Sequence, residues 1–207
     1  MGRPRTAHPV KLFAGLIGGD PDLLRRARQL LTQRFGPADL DSELWPFDQT
    51  DYYEAEMGPG LQRWFVSFER LVQPDRLAEI KRESNELEQQ IASAAALPEE
   101  IPLLGVDTAA PPAPAAVSRP VNIDPGYLDL SKLVLASTKD SAHRIYLNNG
   151  IYAEVTLQYA HGAWQALPWT YPDFRRPEYH VFFSRLRERF RQQQHEAAHY
   201  EPGADVP

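Results

Sequence analysis

The strongest constraint on the fold is a short turn signal between two strand-like runs. Residues 144–147 and 151–159 are rich in β-branched and aromatic side chains, and only Asn148-Asn149-Gly150 separates them. Asn and Gly tolerate the positive backbone φ angles of tight hairpin turns. The two runs are therefore predicted to pair as an antiparallel hairpin, with the turn centred on Asn148-Asn149 or on Asn149-Gly150.

Both centres predict the same faces for the hairpin, because the two registers differ by an even number of residues. His143 is then predicted to share a face with Tyr152 and Glu154, whereas Arg144 lies on the opposite face. This parity predicts contact between His143 and Glu154 and separates His143 from Arg144.

The rest of the chain alternates strand and helix signals. Residues 10–17 form a nearly continuous apolar run, followed at once by an N-cap at Asp20 and a helical pattern that stops at Gly36-Pro37. Further strands are predicted at 42–47, 63–71, 121–128, 133–136 and 163–167, and further helices from Pro74 and over 177–194. Residues 133–138 fit a short helix equally well. A turn at His161-Gly162 would set Tyr159 beside Trp164.

This order predicts an α+β fold. The pattern β-α-β-β-α-β indicates a mainly antiparallel sheet with a split βαβ, or ferredoxin-like, core, followed by a β-meander and a terminal helix. A doubly wound α/β sheet is the alternative, but it requires more βα repeats. We expect one domain over 1–207, with a disordered Ala/Pro-rich insertion at 94–118 and a frayed tail at 195–207.

Composition excludes several classes of protein. The net charge of −6 argues against a general nucleic-acid binder, and no apolar run reaches the ~20 residues that span a bilayer. Zero cysteines exclude disulfides and thiolate chemistry. The amino terminus lacks an apolar export signal, so we expect a cytoplasmic protein. No fingerprint indicates a particular cofactor.

Charge is unevenly distributed along the chain. Residues 39–56 contain seven acidic side chains and no Lys or Arg, whereas arginines are concentrated at 175–191. These segments are either solvated surfaces or pair with each other, within the fold or across a homo-oligomer. A non-catalytic protein-protein interaction module would use the acidic loop 48–58 and the Arg-rich terminal helix.

Two patterns raise the question of a metal. Asp51, Glu54 and Glu56 could ligate a hard cation such as Mg²⁺, although solvated acidic loops are commoner. The sequence from His195 to His199 matches the H-E-x-x-H pattern of zinc proteases. We interpret it as coincidental, because helical spacing places both histidines opposite the apolar stripe of the last helix.

A ligand site is predicted around 124–154, where ionisable side chains gather near strand ends. Lys139 and Arg144 could hold a small phosphate or carboxylate, and His143 and Glu154 could act as an acid/base pair. These residues also have structural alternatives: Lys139-Asp140 as a surface turn, Arg144 in an ion pair with Asp124, and His143 as a strand-end residue. The full candidate set is Asp124, Lys139, Asp140, His143, Arg144, Tyr152 and Glu154. A loop over 169–175 would either close over this site or anchor the last helix. Whether the protein is an enzyme is left open.

Several long motifs resemble the bacterial family known as domain of unknown function 4416. They include VKLFAGLI, DQTDYYEAEMG, FVSFERLVQPDRLAEIKRESNELE, NIDPGYLDLSKLVLASTKDSAHRIYL, GIYAEVTLQY and LPWTYPDFR, and cover most of 10–191. The chain departs from the family pattern in its Ala/Pro-rich insertion and in its tail beyond Arg191. The resemblance implies no established reaction, although some members carry a GTP-binding label. The residues do not support that label, since the chain lacks a Walker A element and Thr138-Lys139-Asp140 lacks the spacing of a guanine-reading motif.

Overall fold

The computed structural model describes residues 2–3, 5–48, 53–96 and 117–199. The strands are β1 Val10–Gly18, β2 Ala38–Asp41, β3 Trp45–Pro46, β4 Gln62–Val72, β5 Val121–Leu128, β6 Lys132–Ser137, β7 Ile145–Asn148, β8 Ile151–Ala160 and β9 Ala163–Ala166. The helices are α1 Pro21–Phe35, α2 Glu54–Met57, α3 Leu77–Ala95 and α4 Pro177–His199. Short 3₁₀ turns at Pro74–Arg76 and Asp173–Arg175 precede α3 and α4.

The sheet confirms the predicted α+β architecture. Its strand order is β2-β4-β1-β5-β6-β8-β7, with β3 pairing with β4 and β9 with β8. All pairs are antiparallel among the described residues, which excludes the doubly wound alternative. The segment β2-β4-β1-β5 has the order of a split βαβ core. Strands β6, β8 and β7 then extend the sheet beyond β5.

The central position of β1 follows from its composition. All nine residues of β1 are buried, between β4 on one side and β5 on the other. Helices α1 and α3 pack on one face of the sheet through an aliphatic core that includes Leu12, Leu24 and Ile80. The opposite face is mainly aromatic: Phe13 and Phe65 contact Phe183 of α4. The fold therefore has three layers, with the sheet between α1/α3 and α4.

The hairpin turn is centred on Asn149-Gly150, whose φ angles are 51° and 77°. The predicted parity, however, is wrong. Asn148 pairs with Ile151, but the register then shifts, so that Tyr146 lies opposite Tyr152. This β-bulge at Leu147 exchanges the faces of the residues that precede it. Arg144, immediately before β7, is consequently brought to the side of Glu154, whereas His143 lies in the preceding turn, where strand alternation does not apply.

The second hairpin and one other alternative are settled by the structure. The turn at His161-Gly162 forms with positive φ at both residues, and the Tyr159 and Trp164 rings meet at 5.1 Å, as predicted. Residues 132–137 form β6 rather than a short helix. The predicted strand 42–47 is displaced: β2 ends before Ser42, and only Trp45–Pro46 continue the pairing with β4. The pairing with β4 is interrupted between Asp41 and Trp45, where the side chain of Leu44 is exposed to solvent.

Some of the separated charges pair within the chain. Arg189 of α4 donates to Asp39 at 3.3 Å, and Arg176 lies 3.9 Å from Asp48. Arg191 pairs instead with Glu188 on its own helix. The acidic and arginine-rich segments are thus partly paired within the chain, which is one of the arrangements considered from the sequence.

Two predicted flexible segments lie largely outside the described residues. These are 97–116 of the Ala/Pro-rich stretch and 200–207 of the tail. Helix α4 continues to His199 rather than ending at Gln194, and His195 is exposed on it. Within the described part of the chain, no helix combines the length and apolar composition needed to cross a membrane.

Candidate ligand-binding cavity

The sheet opens between β5 and β6, and a cavity of about 530 Å³ occupies the gap. Pairing between these strands is limited to 126–128 with 133–135. Strand β6 then follows β8 as far as Ser137, which pairs with Tyr152, while β5 remains paired with β1. The two strands diverge, and the residues at their separated ends line the cavity.

Pro125 explains where the strands separate. The N–H of Ile123 donates to Glu88 at 2.7 Å, and its carbonyl accepts from Lys81 at 2.7 Å. Both backbone groups therefore point away from β1, towards the position that β6 would occupy. Pro125, two residues later, points the same way and has no N–H to donate. Two side chains of α3 thus replace the missing strand.

Asp124 lines the cavity and has several polar partners. Its Oδ2 accepts from Asn122 Nδ2 at 2.7 Å, and its Oδ1 lies 3.4 Å from Lys81 Nζ. Arg63 Nη1 lies 3.7 Å from Oδ2. Burial opposes ionisation of Asp124, but Lys81 and Arg63 outweigh it and hold the pKa of this carboxyl below its ordinary value. Asp124 is therefore a carboxylate at neutral pH.

Arg63 lies near Asp124 and is buried, with a side-chain exposure of 4%. Its Nη2 donates to Asp173 at 3.0 Å, and its guanidinium lies over the rings of Phe47 and Phe174 at 5.0 and 5.7 Å. Its Nε and Nη1 have no hydrogen-bond acceptor among the described residues. Burial opposes the charge, yet Asp173 and Asp124 raise the pKa of Arg63. The cation is thus held by carboxylates and aromatic faces.

Two other cations of the cavity wall are more accessible than Arg63. Lys139 follows β6 and is exposed, and the side chain of Arg119 is 33% exposed. The lining carboxylate Glu56, near Arg119, is also exposed. Arg119 pairs with Glu88 at 3.0 Å. Burial, chiefly, raises the pKa of Glu88. Much of the rest of the cavity wall is aromatic or apolar and includes Tyr53, Leu135, Tyr171 and Pro172.

Three of the predicted residues form a compact cluster beside the cavity. Glu154 is 2% exposed, and its Oε2 contacts His143 Nε2 at 3.1 Å and Arg144 Nε at 2.9 Å. The predicted His143–Glu154 contact is present, but Arg144 joins it because of the bulge. The His143 ring also stacks on Trp169 at 5.3 Å. None of these four side chains lines the cavity itself.

Arg144 connects this cluster to the cavity wall. It donates to Ser137 Oγ at 2.8 Å, to the Lys139 carbonyl at 2.9 Å and to the Tyr171 hydroxyl at 2.6 Å. These three residues all line the cavity. Arg144 therefore supports the wall, and the Arg144–Asp124 ion pair considered from the sequence does not form, since Asp124 has other partners.

Other predicted residues have different positions. Asp140 is exposed after β6, and Tyr152 packs against Tyr146 at 5.3 Å; neither lines the cavity. Of the weak metal candidates, Asp51 and the side chain of Glu54 lie outside the described residues. Glu56 lies 3.9 Å from Arg119. No group of three or more His, Asp or Glu side chains suited to a metal occurs in the described ranges.

The 169–175 loop lies between the cavity and the last helix. Tyr171, Pro172, Asp173 and Phe174 line the cavity, so the loop forms one of its walls. Arg175 donates to the carbonyls of Thr170 and Leu167, each at 3.0 Å, and so holds the backbone of the loop. The Phe174 carbonyl lies 2.9 Å from His180 Nε2 of α4.

The sequence interpretation missed Arg63, Lys81 and Arg119. Two of them had a detectable signal. Arg63 lies two residues before the core residue Phe65 in β4, so both side chains are on the same, inward face of the strand. Lys81 follows Leu77 by four residues and so lies on the apolar stripe of α3. A charged residue at an inward position must be paired or functional. Arg119 had no such signal.

Together these features define an α+β protein with a split βαβ core and a ligand-sized cavity where its sheet divides. The chain belongs to the family described as Domain of unknown function (DUF4416), whose model matches residues 8–103 and 107–190. The family membership expected from the motifs is thus confirmed. Of the Ala/Pro-rich stretch 94–118, only residues 104–106 lie outside the two matched ranges. No curated protein and no solved structure matches the chain.

Proposed function

We propose that this protein binds a small anionic ligand, phosphorylated or nucleotide-like, in the cavity between β5 and β6. The supporting observation is the concentration of cationic side chains in the cavity wall. The cavity wall includes four cationic side chains and three carboxylates, although the whole chain has a net charge of −6. The cations are Arg63, Lys81, Arg119 and Lys139, and the carboxylates are Glu56, Asp124 and Asp173.

The size and lining of the cavity agree with such a ligand. Small-molecule sites typically have volumes of about 300–1,000 Å³, with apolar walls and a few polar groups. Here Phe47, Tyr53 and Tyr171 provide aromatic surface, and Ser137 and Thr138 provide hydroxyls. A planar or apolar part of the ligand would contact the rings, while its anionic group would be held by the cations.

The function proposed is binding, and no reaction is assigned. His143 and Glu154, the sequence candidates for an acid/base pair, do not line this cavity, and Glu154 also contacts Arg144. We interpret this cluster as support for the wall. The interaction-module alternative is weakened because Arg176 and Arg189 already pair with acidic residues of the same chain.

The test compares two lysine variants. Thermal-shift and calorimetric titrations would use inorganic phosphate, ribose 5-phosphate and adenosine monophosphate against the parent chain, Lys139→Ala and Lys132→Ala. Lys132 is the matched control, because it pairs with Asp129 and does not line the cavity. We expect at least one phosphate ester to stabilise the parent and the control, and to bind Lys139→Ala about five- to tenfold more weakly. Absence of binding by all three probes, or equal weakening in both variants, would refute the proposal.

A further inference from the structure

One of the largely buried charges of the cavity wall remains accessible. The buried cations Arg63 and Lys81 have side-chain exposures of only 4% and 5%, and the side chain of Asp173 is 6% exposed. The side chain of Asp124 is 26% exposed. Asp124 is therefore the charge of this buried set that a ligand reaches most easily, and Arg119, Lys139 and Glu56 are the other accessible charges of the wall.

Asp124 also has unused acceptor capacity. A carboxylate has about four lone-pair sites. Asn122 Nδ2 and Lys81 Nζ occupy one site on each oxygen, at 2.7 and 3.4 Å. Arg63 Nη1, at 3.7 Å, is beyond hydrogen-bond distance. Two further donors could therefore be accepted from the cavity side.

These observations indicate the chemical class of a ligand, given the anion binding proposed above. We infer that the ligand is a phosphate ester or similar anion that also carries a hydrogen-bond donor, a hydroxyl or an ammonium group. The anionic group is held by Lys139 and Arg119, and the donor group donates to Asp124. An anion without a donor would gain no hydrogen bond from Asp124 and would be repelled by its negative charge.

Asp124→Asn provides a test by the sign of the effect. The amide is nearly isosteric but uncharged, and its oxygen still accepts a hydrogen bond, so the substitution weakens the attraction for a donor and removes the repulsion of a phosphate. Donor-bearing anions should bind the variant more weakly, and a donor-free anion should bind it more tightly. A purely structural role for Asp124 would weaken both kinds of ligand. Asp129→Asn is the matched control, because Asp129 is a turn carboxylate that pairs with Lys132 outside the cavity.

The probes are ethyl phosphate, 2-aminoethyl phosphate and ribose 5-phosphate, titrated by calorimetry or ligand-observed NMR. The last two distinguish an ammonium donor from hydroxyl donors. In the parent chain, at least one donor-bearing probe should bind about tenfold or more tightly than ethyl phosphate, as expected for a hydrogen bond to a charged group. In Asp124→Asn this preference should decrease, with ethyl phosphate gaining affinity; Asp129→Asn should behave as the parent.

The outcomes separate this inference from the proposed function. If all three probes bind the parent equally, or if Asp124→Asn weakens all three alike, the donor inference is overturned while anion binding stands. If none of the probes binds the parent, both are overturned. Should Asp124→Asn fail to fold, the ranking of the three probes on the parent chain still decides between a donor-selective site and a simple anion site.

Discussion

Replacing Arg63 with Met tests whether the cavity is built around a buried cation. The substitution keeps an unbranched side chain in contact with Phe47 and Phe174 but removes the charge. It leaves Asp173, whose side chain is 6% exposed, without its Arg63 hydrogen bond, and it leaves Asp124 with Lys81 and, more weakly, Arg119 as nearby cations. We expect a large loss of stability.

The magnitude follows from opposing contributions. Removing one partner of a buried ion pair costs about 3–5 kcal/mol, because the other charge stays buried without compensation. The loss of cation–π contact adds about 1 kcal/mol. Against this, Arg63 Nε and Nη1 have no acceptor among the described residues, and deleting buried unpaired donors returns about 1–3 kcal/mol. The net expectation is a loss of about 3 kcal/mol, which a domain of ordinary stability survives.

The assay is urea unfolding followed by tryptophan fluorescence, with Arg28→Met as the control. Arg28 makes a two-point contact with Asp41, at 2.7 and 2.6 Å, but these side chains are about one third exposed. An exposed pair of this kind contributes about 0–1 kcal/mol. A loss below about 1 kcal/mol for Arg63→Met, or a loss equal to that of Arg28→Met, would refute the reasoning.

The same comparison has a pH dependence with a definite sign. In the parent, the lowered pKa of Asp124 contributes stability above the unfolded value of about 3.9, and this is lost only as the pH falls through the still lower folded pKa. In Arg63→Met, burial is expected to raise that pKa, so the variant gains stability as the pH falls from 7 to 5. The difference between parent and variant should therefore shrink on acidification. A difference that widens would contradict the electrostatic explanation.

Three further predictions concern single sites. Gly150→Ala should lower the melting temperature by about 2–4 °C, because Gly150 has a φ of 77° that alanine adopts only with strain; an unchanged melting curve would contradict the turn assignment. Burial raises the pKa of Glu88, so the parent should gain stability relative to Glu88→Gln as the pH falls towards about 4.3; urea midpoints that stay parallel from neutral pH down to about 4.3 would exclude this. Arg144→Leu should cost about 3 kcal/mol in urea unfolding, the lower end of the range for breaking a buried pair, because Glu154 keeps its contact with His143; the double variant with Glu154→Leu should recover much of this loss, and no recovery would mean that the two charges do not act as a pair.

The fold was predictable because its signals are local. Turn residues at Asn149-Gly150, an N-cap at Asp20 and the apolar run 10–17 each identify one element without reference to the others. The order of these elements then indicates the split βαβ core, since few topologies connect them without crossings. The parity error at the hairpin has the opposite origin. A β-bulge at Leu147 depends on how β7 fits beside β8, and periodicity alone does not reveal it.

The cavity was only partly predictable, because its residues are distant in sequence. Asp124 and Lys139 were identified from their positions near strand ends. Arg63 and Lys81 belong to β4 and α3, and they reach Asp124 only because the split βαβ order places β1 between β4 and β5, with α3 packed against β5. A charged residue within an apolar stripe predicts a buried partner, but it does not identify which one.

Pro125 and Gly126 connect the fold to the proposed function. A Cβ on Gly126 would lie 2.5 Å from the Val134 carbonyl oxygen, so the close approach of β5 and β6 at this point requires glycine. Pro125, immediately before it, cannot donate to β6, and the strands separate there. Asp124, immediately before Pro125, is the first side chain beyond the separation on the face that carries α4. Strand β6 no longer lies beside it there, so its side chain lines the cavity. Two adjacent residues thus determine where the sheet closes and where it opens, and the opening is what exposes a carboxylate to a ligand.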